Sequence, residues 1–277
     1  MALGVLRSFA VGATVARGVL TWIRSDPMSA ALARTNFRGR PVTLAGGPAL
    51  AAGATAAAAL GAPSRRTAAA VLTAGAVSGA VGFYDDMVGN RPEQKAKGFA
   101  GHLGALREGR VTSGLVKIAG VGAAGLLASS LLGSRQTGGL RRTCDVLLGA
   151  GVVAGMANLV NLLDLRPGRA IKAGLVVGAP LALGPGGGVA AGALGAGAAM
   201  LPADLGEDIM LGDSGANALG ALLGVALAAR TGPVGRAVAL AVLASLTAAS
   251  EKVSFTKVIE DTPWLRRADE LGRRTPA

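Results

Sequence analysis

The sequence predicts an all-α fold, a polytopic transmembrane bundle of about nine helices. The chain of 277 residues is 51% hydrophobic, has a mean hydropathy of +0.50 and is only 16% charged, whereas soluble domains carry about 25% charged residues. The apolar residues also come in blocks of roughly 17 to 20, the length that a helix needs to cross about 30 Å of hydrocarbon. Abundant glycine and alanine predict helices that pack closely through small side chains, as at Ala216, Gly220 and Gly224.

A transmembrane domain is predicted for residues 1–249 and a basic cytoplasmic tail for residues 250–277. A cleaved signal peptide is the alternative for the first apolar block. Arg7 and Arg17 lie inside that block, whereas a signal peptide confines its charge to a basic N-terminal region, so a retained helix is favoured. The predicted spans are residues 2–23, 44–62, 67–84, 114–132, 144–163, 173–183, 189–201, 214–229 and 235–249.

The distribution of charge predicts the orientation of the bundle. Nine alternating crossings put the N-terminus outside and the tail on the other side, which also holds 19 of the 28 Lys and Arg residues and is therefore cytoplasmic. Fifteen of the 16 acidic residues lie on the same side, with Asp145 the exception, so we expect the chemistry there. The basic residues alternate with the spans, so topology explains the net charge of +12 better than binding of nucleic acid does.

Asp85 and Asp86 are adjacent carboxylates at the cytoplasmic end of the third span. An Asp at the centre of a bilayer costs about 2.5–3.5 kcal/mol, and neighbouring carboxylates repel unless a proton or a cation stands between them. The sequence therefore predicts that these two carboxylates lie at the membrane edge, in a water-filled cavity or on a bound cation. A solvated helix end is the alternative.

Asn158, Asn161 and Asp164 recur at every third position and therefore share one face of the fifth span. Amides inside an apolar span are costly unless they are hydrogen-bonded, so these residues are candidates for binding a polar substrate. Hydrogen bonding between neighbouring helices is the alternative, because Asn commonly plays that part in membranes.

Asp213 opens the eighth span, and Asn217 follows one turn later on the same face. The flanking glycines Gly212 and Gly215 allow a ligand to approach, and a helix N-terminus offers free N–H groups to phosphate oxygens. An ordinary N-cap is the alternative. Carboxylates at the cytoplasmic ends of three spans together predict a site for Mg²⁺ and a diphosphate. The single histidine, His102, excludes a multi-histidine metal site.

At these residues the chain resembles the polyprenyl-phosphate N-acetylhexosamine-1-phosphate transferases, the superfamily of the phospho-MurNAc-pentapeptide translocase and the bacterial GlcNAc-1-phosphate transferases. Four segments carry the resemblance in the family's order. They are the first cytoplasmic loop at residues 36–47, the Asp-Asp motif at 82–86, the central Asn-x-x-Asn-x-x-Asp motif at 158–164 and the Gly-Asp-x-Gly motif at 210–215.

The resemblance implies Mg²⁺-dependent transfer of a sugar 1-phosphate from a UDP-sugar to a polyprenyl phosphate lipid, with release of UMP, at the cytoplasmic face of the plasma membrane. It implies that Asp213 binds Mg²⁺, that Asp85 and Asp86 activate or position the lipid phosphate, and that Asp164 and Asn161 organise the nucleotide. The oligomeric state is open between a monomer and a homodimer. The remaining candidates for substrate binding are Asn158, Asn217, Lys97, His102 and Arg38.

The sequence departs from the family's pattern at two places. The central motif usually has a second acidic residue, but here Leu165, Arg166, Pro167 and Gly168 follow Asp164. The family's His-rich cytoplasmic loop, which recognises the sugar, has no counterpart. A non-catalytic or transport protein of the cell-envelope machinery on the same fold is therefore the alternative function.

Overall fold

The computed structural model describes residues 2–89, 91, 98–133, 138–184 and 186–274. With 79% of the chain helical, the predicted all-α class is confirmed. The helices are α1 (Ala2–Ser25), α2 (Gly46–Leu60), α3 (Arg65–Val88), α4 (Gly98–Arg107), α5 (Ser113–Leu132), α6 (Gly139–Leu163), α7 (Arg169–Ala182), α8 (Gly188–Leu205), α9 (Gly212–Arg230), α10 (Pro233–Ser250), α11 (Phe255–Asp261) and α12 (Pro263–Glu270).

A small β-hairpin stands where the sequence predicted only a loop. Strands β1 (Ala33–Thr35) and β2 (Pro41–Thr43) pair antiparallel after a 3₁₀ turn at Pro27–Leu32. The Asn36 side chain closes the connecting turn by accepting hydrogen bonds from two backbone N–H groups at 2.9 and 3.0 Å. Thr43 also bridges to Ile209, which ties the hairpin to the segment before α9.

Within the described residues, six helices are long and apolar enough to cross a membrane, namely α1, α3, α5, α6, α8 and α10. Helices α2 and α7 have 15 and 14 residues; at 1.5 Å per residue they measure about 21–22 Å, less than the ~30 Å of hydrocarbon. Helix α9 carries Asp213 in its first turn and Arg230 in its last. Length and composition therefore support six of the nine predicted spans, and the spans predicted at α2, α7 and α9 are not confirmed.

Exposed aliphatic side chains show which surface is suited to lipid. On α10, Val234 is 78% exposed and Val238 is 60% exposed, and other large apolar residues line the outside of the bundle in the same way. A soluble monomer rarely exposes apolar patches of this extent. The exposed apolar surface and the six long helices identify a multi-pass membrane protein.

Helix α9 lies at the centre of the bundle and is buried along most of its length. It packs against α6 at backbone distance, because a Cβ added at Gly220 would lie 2.4 Å from the Met156 carbonyl oxygen, and one at Gly224 would lie 2.7 Å from Val153 Cα. The small residues of this helix thus allow the close packing that the sequence predicted. Its N-terminal turn is held at the junction of α3, α5 and α6.

Asp145, the one acid that the sequence analysis placed outside, forms an ion pair. It lies in α6, which begins five residues earlier than the predicted span, and it is only 2% exposed. Its carboxylate is 3.0 Å from the Arg236 guanidinium of α10, which also donates to the carbonyl oxygen of Ala228. This buried pair joins α6, α9 and α10 at the end of the bundle away from the candidate site.

Candidate functional site

Lys117 joins two of the predicted carboxylates. Its Nζ lies 2.7 Å from Asp85 Oδ2 and 2.5 Å from Asp213 Oδ2. The three side chains come from the last turn of α3, the first turns of α5 and the first turn of α9. The structure therefore brings Asp85 and Asp213, 128 positions apart in the sequence, to one cationic group.

Lys117 is a site residue that the sequence analysis does not predict, because a lysine near the end of a span is typical of positive-inside topology. The position of Lys117 in the sequence does indicate a role in the site. Lys117 is the fifth residue of an apolar helix, where an ammonium group requires a carboxylate partner. The acids at the ends of the neighbouring helices were the available partners.

Asp86 holds the N-terminus of α9. Its carboxylate oxygens accept hydrogen bonds from the backbone N–H groups of Asp213 and Ser214 at 2.8 and 2.9 Å. The N-cap residue of α9, Leu211, provides no side-chain hydrogen bond, so Asp86 supplies from another helix the acceptor that a cap normally provides. The interpretation of Asp213 as an ordinary N-cap is therefore wrong.

Two glycines allow the carboxylates to come this close. Gly212 has a φ of +59°, and a Cβ there would lie 2.6 Å from Asp86 Oδ1. A Cβ at Gly82, one turn before the acidic pair, would lie 2.3 Å from the Asp213 carbonyl oxygen. Because that contact is with backbone, a larger residue would push α3 and α9 apart.

The two amides of the central motif have different partners. Asn161 donates a hydrogen bond to Asp213 Oδ1 and so belongs to the carboxylate cluster. Asn158 donates to Thr247 Oγ1 of α10 at 3.0 Å, which is the contact between helices that the alternative interpretation predicted for it. The predicted shared face is present for the two amides, which line the same cavity, whereas Asp164 ends the helix and lines a different cavity.

Asp164 lies at the C-terminal end of α6. It lines a cavity together with Ile209 and Met210, which precede α9. Burial, together with the negative charges of Asp204, Asp213 and Asp86, raises the pKa of Asp164 well above its ordinary value. All four predicted acids thus meet around the first turn of α9.

The remaining predicted binding residues are placed as follows. Asn217 is buried one turn into α9, and its Nδ2 has no hydrogen-bond partner among the described atoms. Arg38 lies outside the cluster, in the hairpin turn, with its guanidinium 2.6 Å from Glu207. Lys97 and the side chain of His102 lie outside the described residues.

A cavity of about 410 Å³ opens between α5, α6 and α10 beside Lys117. Its polar end lies nearest the carboxylates and contains both basic and acidic groups, namely Lys117, Asn158, Asn161, Asn217, Thr247 and Glu251. Further along the same helices its wall is apolar, with Val121 and Leu240 among the lining residues. A molecule with a charged head and an apolar chain matches this division.

A second cavity, of about 210 Å³, lies beside Asp164. It is bounded by the hairpin turn, by the residues that follow Asp164 and by the segment before α9, so it contains both charged and aromatic groups. The Arg166 guanidinium stands 4.5 Å from the centre of the Phe37 ring at its edge. The two cavities share no lining residue.

The donor atoms around Asp213 fit a hard cation. Carboxylate oxygens of Asp85 and Asp213 and the amide oxygen of Asn161 are the ligand types that Mg²⁺ takes, usually with phosphate oxygens completing the shell. Among the described residues, however, no group of three or more acidic, histidine or cysteine side chains is arranged as a metal site. A cation at these residues would need ligands beyond these side chains, which phosphate oxygens can supply.

Comparison with known proteins adds no assignment: no protein-family model matches the sequence, and no curated protein is significantly similar to it.

Proposed function

We propose that this chain is a Mg²⁺-dependent sugar-1-phosphate transferase that acts on a UDP-sugar and a polyprenyl phosphate at the cytoplasmic face of the plasma membrane. The observation that carries the proposal is the convergence of Asp85, Asp86, Asp164 and Asp213 around the first turn of α9. Four carboxylates within one small region are costly to fold unless the region binds cations. A cation and a diphosphate are the ligands that suit it.

We assign one of the two cavities to each substrate. The cavity between α5, α6 and α10 suits the lipid phosphate, because its polar end contains Lys117 and its wall is apolar. The cavity beside Asp164 is assigned to the nucleotide, because Phe37 offers an aromatic surface for the base and Arg166 a cation for a phosphate. The phosphates of the two substrates would then meet between Asp164 and Lys117, at the α9 N-terminus.

The proposed reaction is a phosphoryl transfer between two bound substrates. A lipid phosphate oxygen forms a bond to the β-phosphorus of the UDP-sugar, and the bond from that phosphorus to the oxygen bridging to the α-phosphate breaks, so UMP leaves. Lys117 neutralises and orients the attacking phosphate, while Asp86 fixes the α9 N-terminus through Asp213 and Ser214. Bound Mg²⁺, held by Asp213 with Asp85, would neutralise the diphosphate charge.

A non-catalytic role in the cell-envelope machinery is the second candidate. It is favoured by the Lys117 ion pairs, which neutralise part of the carboxylate charge without any metal. A transport role is less well supported, because transporters bind at the bilayer midplane between broken helices. Here the polar groups lie at helix ends.

The test is incubation of the purified full chain in lipid nanodiscs with polyprenyl phosphate and a panel of UDP-sugars, with UMP release as the readout. We expect release with at least one donor, which requires Mg²⁺ and stops when EDTA is added. Absence of UMP with every donor, from folded protein that still binds Mg²⁺, would contradict the proposal and favour the non-catalytic role.

A further inference from the structure

The C-terminal tail is attached to the segment that follows Asp164. Asp269, at the end of α12, accepts two parallel hydrogen bonds from Arg169 Nε and Nη2, both at 2.8 Å. The same guanidinium donates to Thr256 of the tail. Both charged side chains are less than 10% exposed, so this is a buried, bidentate ion pair rather than a surface contact.

Further bonds tie the same two segments together. Arg273 donates to the Pro167 carbonyl oxygen at 2.8 Å and to Asp269 at 2.6 Å. Lys172 Nζ bonds the carbonyl oxygens of Asp269 and Leu271, both at 2.7 Å, at the C-terminal end of α12. The tail is therefore bonded to residues 167–172, a segment that begins three positions after Asp164.

The tail does not fill the cavity beside Asp164. Of the described tail residues, none lines that cavity, whereas Asp164, Arg166 and Pro167 do. The tail therefore contacts the segment that forms one wall of the cavity and does not block the cavity itself. Because Asp269 supplies the buried carboxylate on which Arg169 and Arg273 converge, it is the centre of these contacts.

We infer that Asp269 is a positioning residue, which holds residues 164–172 in the conformation that aims Asp164 at the α9 N-terminus. The inference deepens the proposed function and its catalytic consequence rests on that function. Loss of the Asp269 charge frees Arg169 and the backbone turn that it anchors. The donor substrate, whose cavity this turn lines, is then held less well, while the lipid side is unaffected.

The first test measures the turn itself, without reference to activity. Hydrogen–deuterium exchange of the full chain in nanodiscs is compared for wild type, Asp269→Asn and the control Asp261→Asn, an exposed acid at the end of α11. We expect the amides of residues 164–172 to exchange at least tenfold faster in Asp269→Asn only, and Asp269→Glu to restore much of the protection. Unchanged exchange in Asp269→Asn would overturn the inference.

The second test measures kinetics with the same variants. Asp269→Asn should raise the KM for the UDP-sugar at least fivefold and leave the KM for polyprenyl phosphate within twofold of wild type. Faster exchange with an unchanged donor KM, or a tail deletion that increases turnover, would overturn the positioning role. If wild type itself releases no UMP, the proposed transferase function fails, and the exchange measurement still decides whether Asp269 holds the turn.

Discussion

At the scale of single residues, Lys117 and Asp213 form the contact on which the candidate site depends. Their ion pair has a length of 2.5 Å, and Asp213 also accepts a hydrogen bond from Asn161. Asp213 therefore has both oxygens engaged, one with a cationic and one with a neutral donor. Substitutions that change charge without changing shape separate its chemical role from its structural one.

Asp213→Asn should reduce UMP release by about 10²–10³-fold, the range typical of losing one group that stabilises transition-state charge. The matched control is Asp208→Asn, because Asp208 is a half-exposed acid nearby that pairs with Arg274 at 3.6 Å. Steady-state rates of the two variants check the prediction. Equal activity in both would show that Asp213 is not part of the chemistry.

Lys117→Met should make folding more dependent on Mg²⁺. Without the ammonium group, Asp85 and Asp213 repel each other, and a divalent cation relieves that repulsion. Thermal unfolding without Mg²⁺ should begin at a lower temperature in the variant, and addition of Mg²⁺ should raise its Tm more than that of wild type. An equal rise in Tm on addition of Mg²⁺ in wild type and in Lys117→Met would show that Mg²⁺ binds away from Asp85 and Asp213.

At the scale of helices, close backbone packing of α3 against α9 sets the geometry of the site. Gly82→Ala should destabilise the protein by about 1–3 kcal/mol, the usual cost of overpacking, since the new Cβ would lie 2.3 Å from a backbone oxygen. Gly122→Ala in α5 is the control, because its Cβ would meet nothing within 4 Å. Thermal unfolding of both variants in detergent would test this, and equal losses would contradict the packing argument.

Docking of the tail should depend on acidity in a defined direction. Burial alone would raise the pKa of Asp269, but the hydrogen bonds and charge of Arg169, and then the charge of Arg273, lower it below the ordinary value. The stabilisation is therefore fully present above the unfolded-state pKa of about 3.9 and is lost as the pH falls through the lower folded-state pKa.

The difference in Tm between wild type and Asp269→Asn measures this effect. It should be constant from about pH 5 to 8, where Asp269 is ionised in both folded and unfolded states, and should shrink below about pH 4. A difference that grew as the solution became more acidic would have the wrong sign for a carboxylate with a lowered pKa.

At the scale of the whole molecule, composition and block length were sufficient to predict the helical membrane class. Periodicity also placed Asn158 and Asn161 on one face, and span ends located the acids. The hairpin at Ala33–Thr43 was missed, because its strands are three residues long and gain their stability from a tertiary bridge at Thr43. Secondary structure of that kind leaves no periodic signal.

The partners of individual side chains could not be predicted from the sequence. In the sequence Asp85 and Asp86 are equivalent neighbours. In the structure Asp86 accepts hydrogen bonds from backbone N–H groups of α9, whereas Asp85 pairs with Lys117. The difference arises from the ~100° rotation between successive helix positions, which points the two side chains at different neighbours. The attachment of Asp269 to Arg169 joins positions 100 residues apart and had no local signal either.

The most direct test of the central claim asks whether the carboxylates around α9 hold a cation together with a diphosphate. Mn²⁺ can replace Mg²⁺, and pulsed electron–nuclear spectroscopy then detects phosphorus nuclei bonded to the metal's ligand oxygens. With UDP as the probe, we predict a strong ³¹P coupling in wild type and in Asp208→Asn, and its loss in Asp213→Asn. No coupling in wild type, or an undiminished coupling in Asp213→Asn, would contradict the claim.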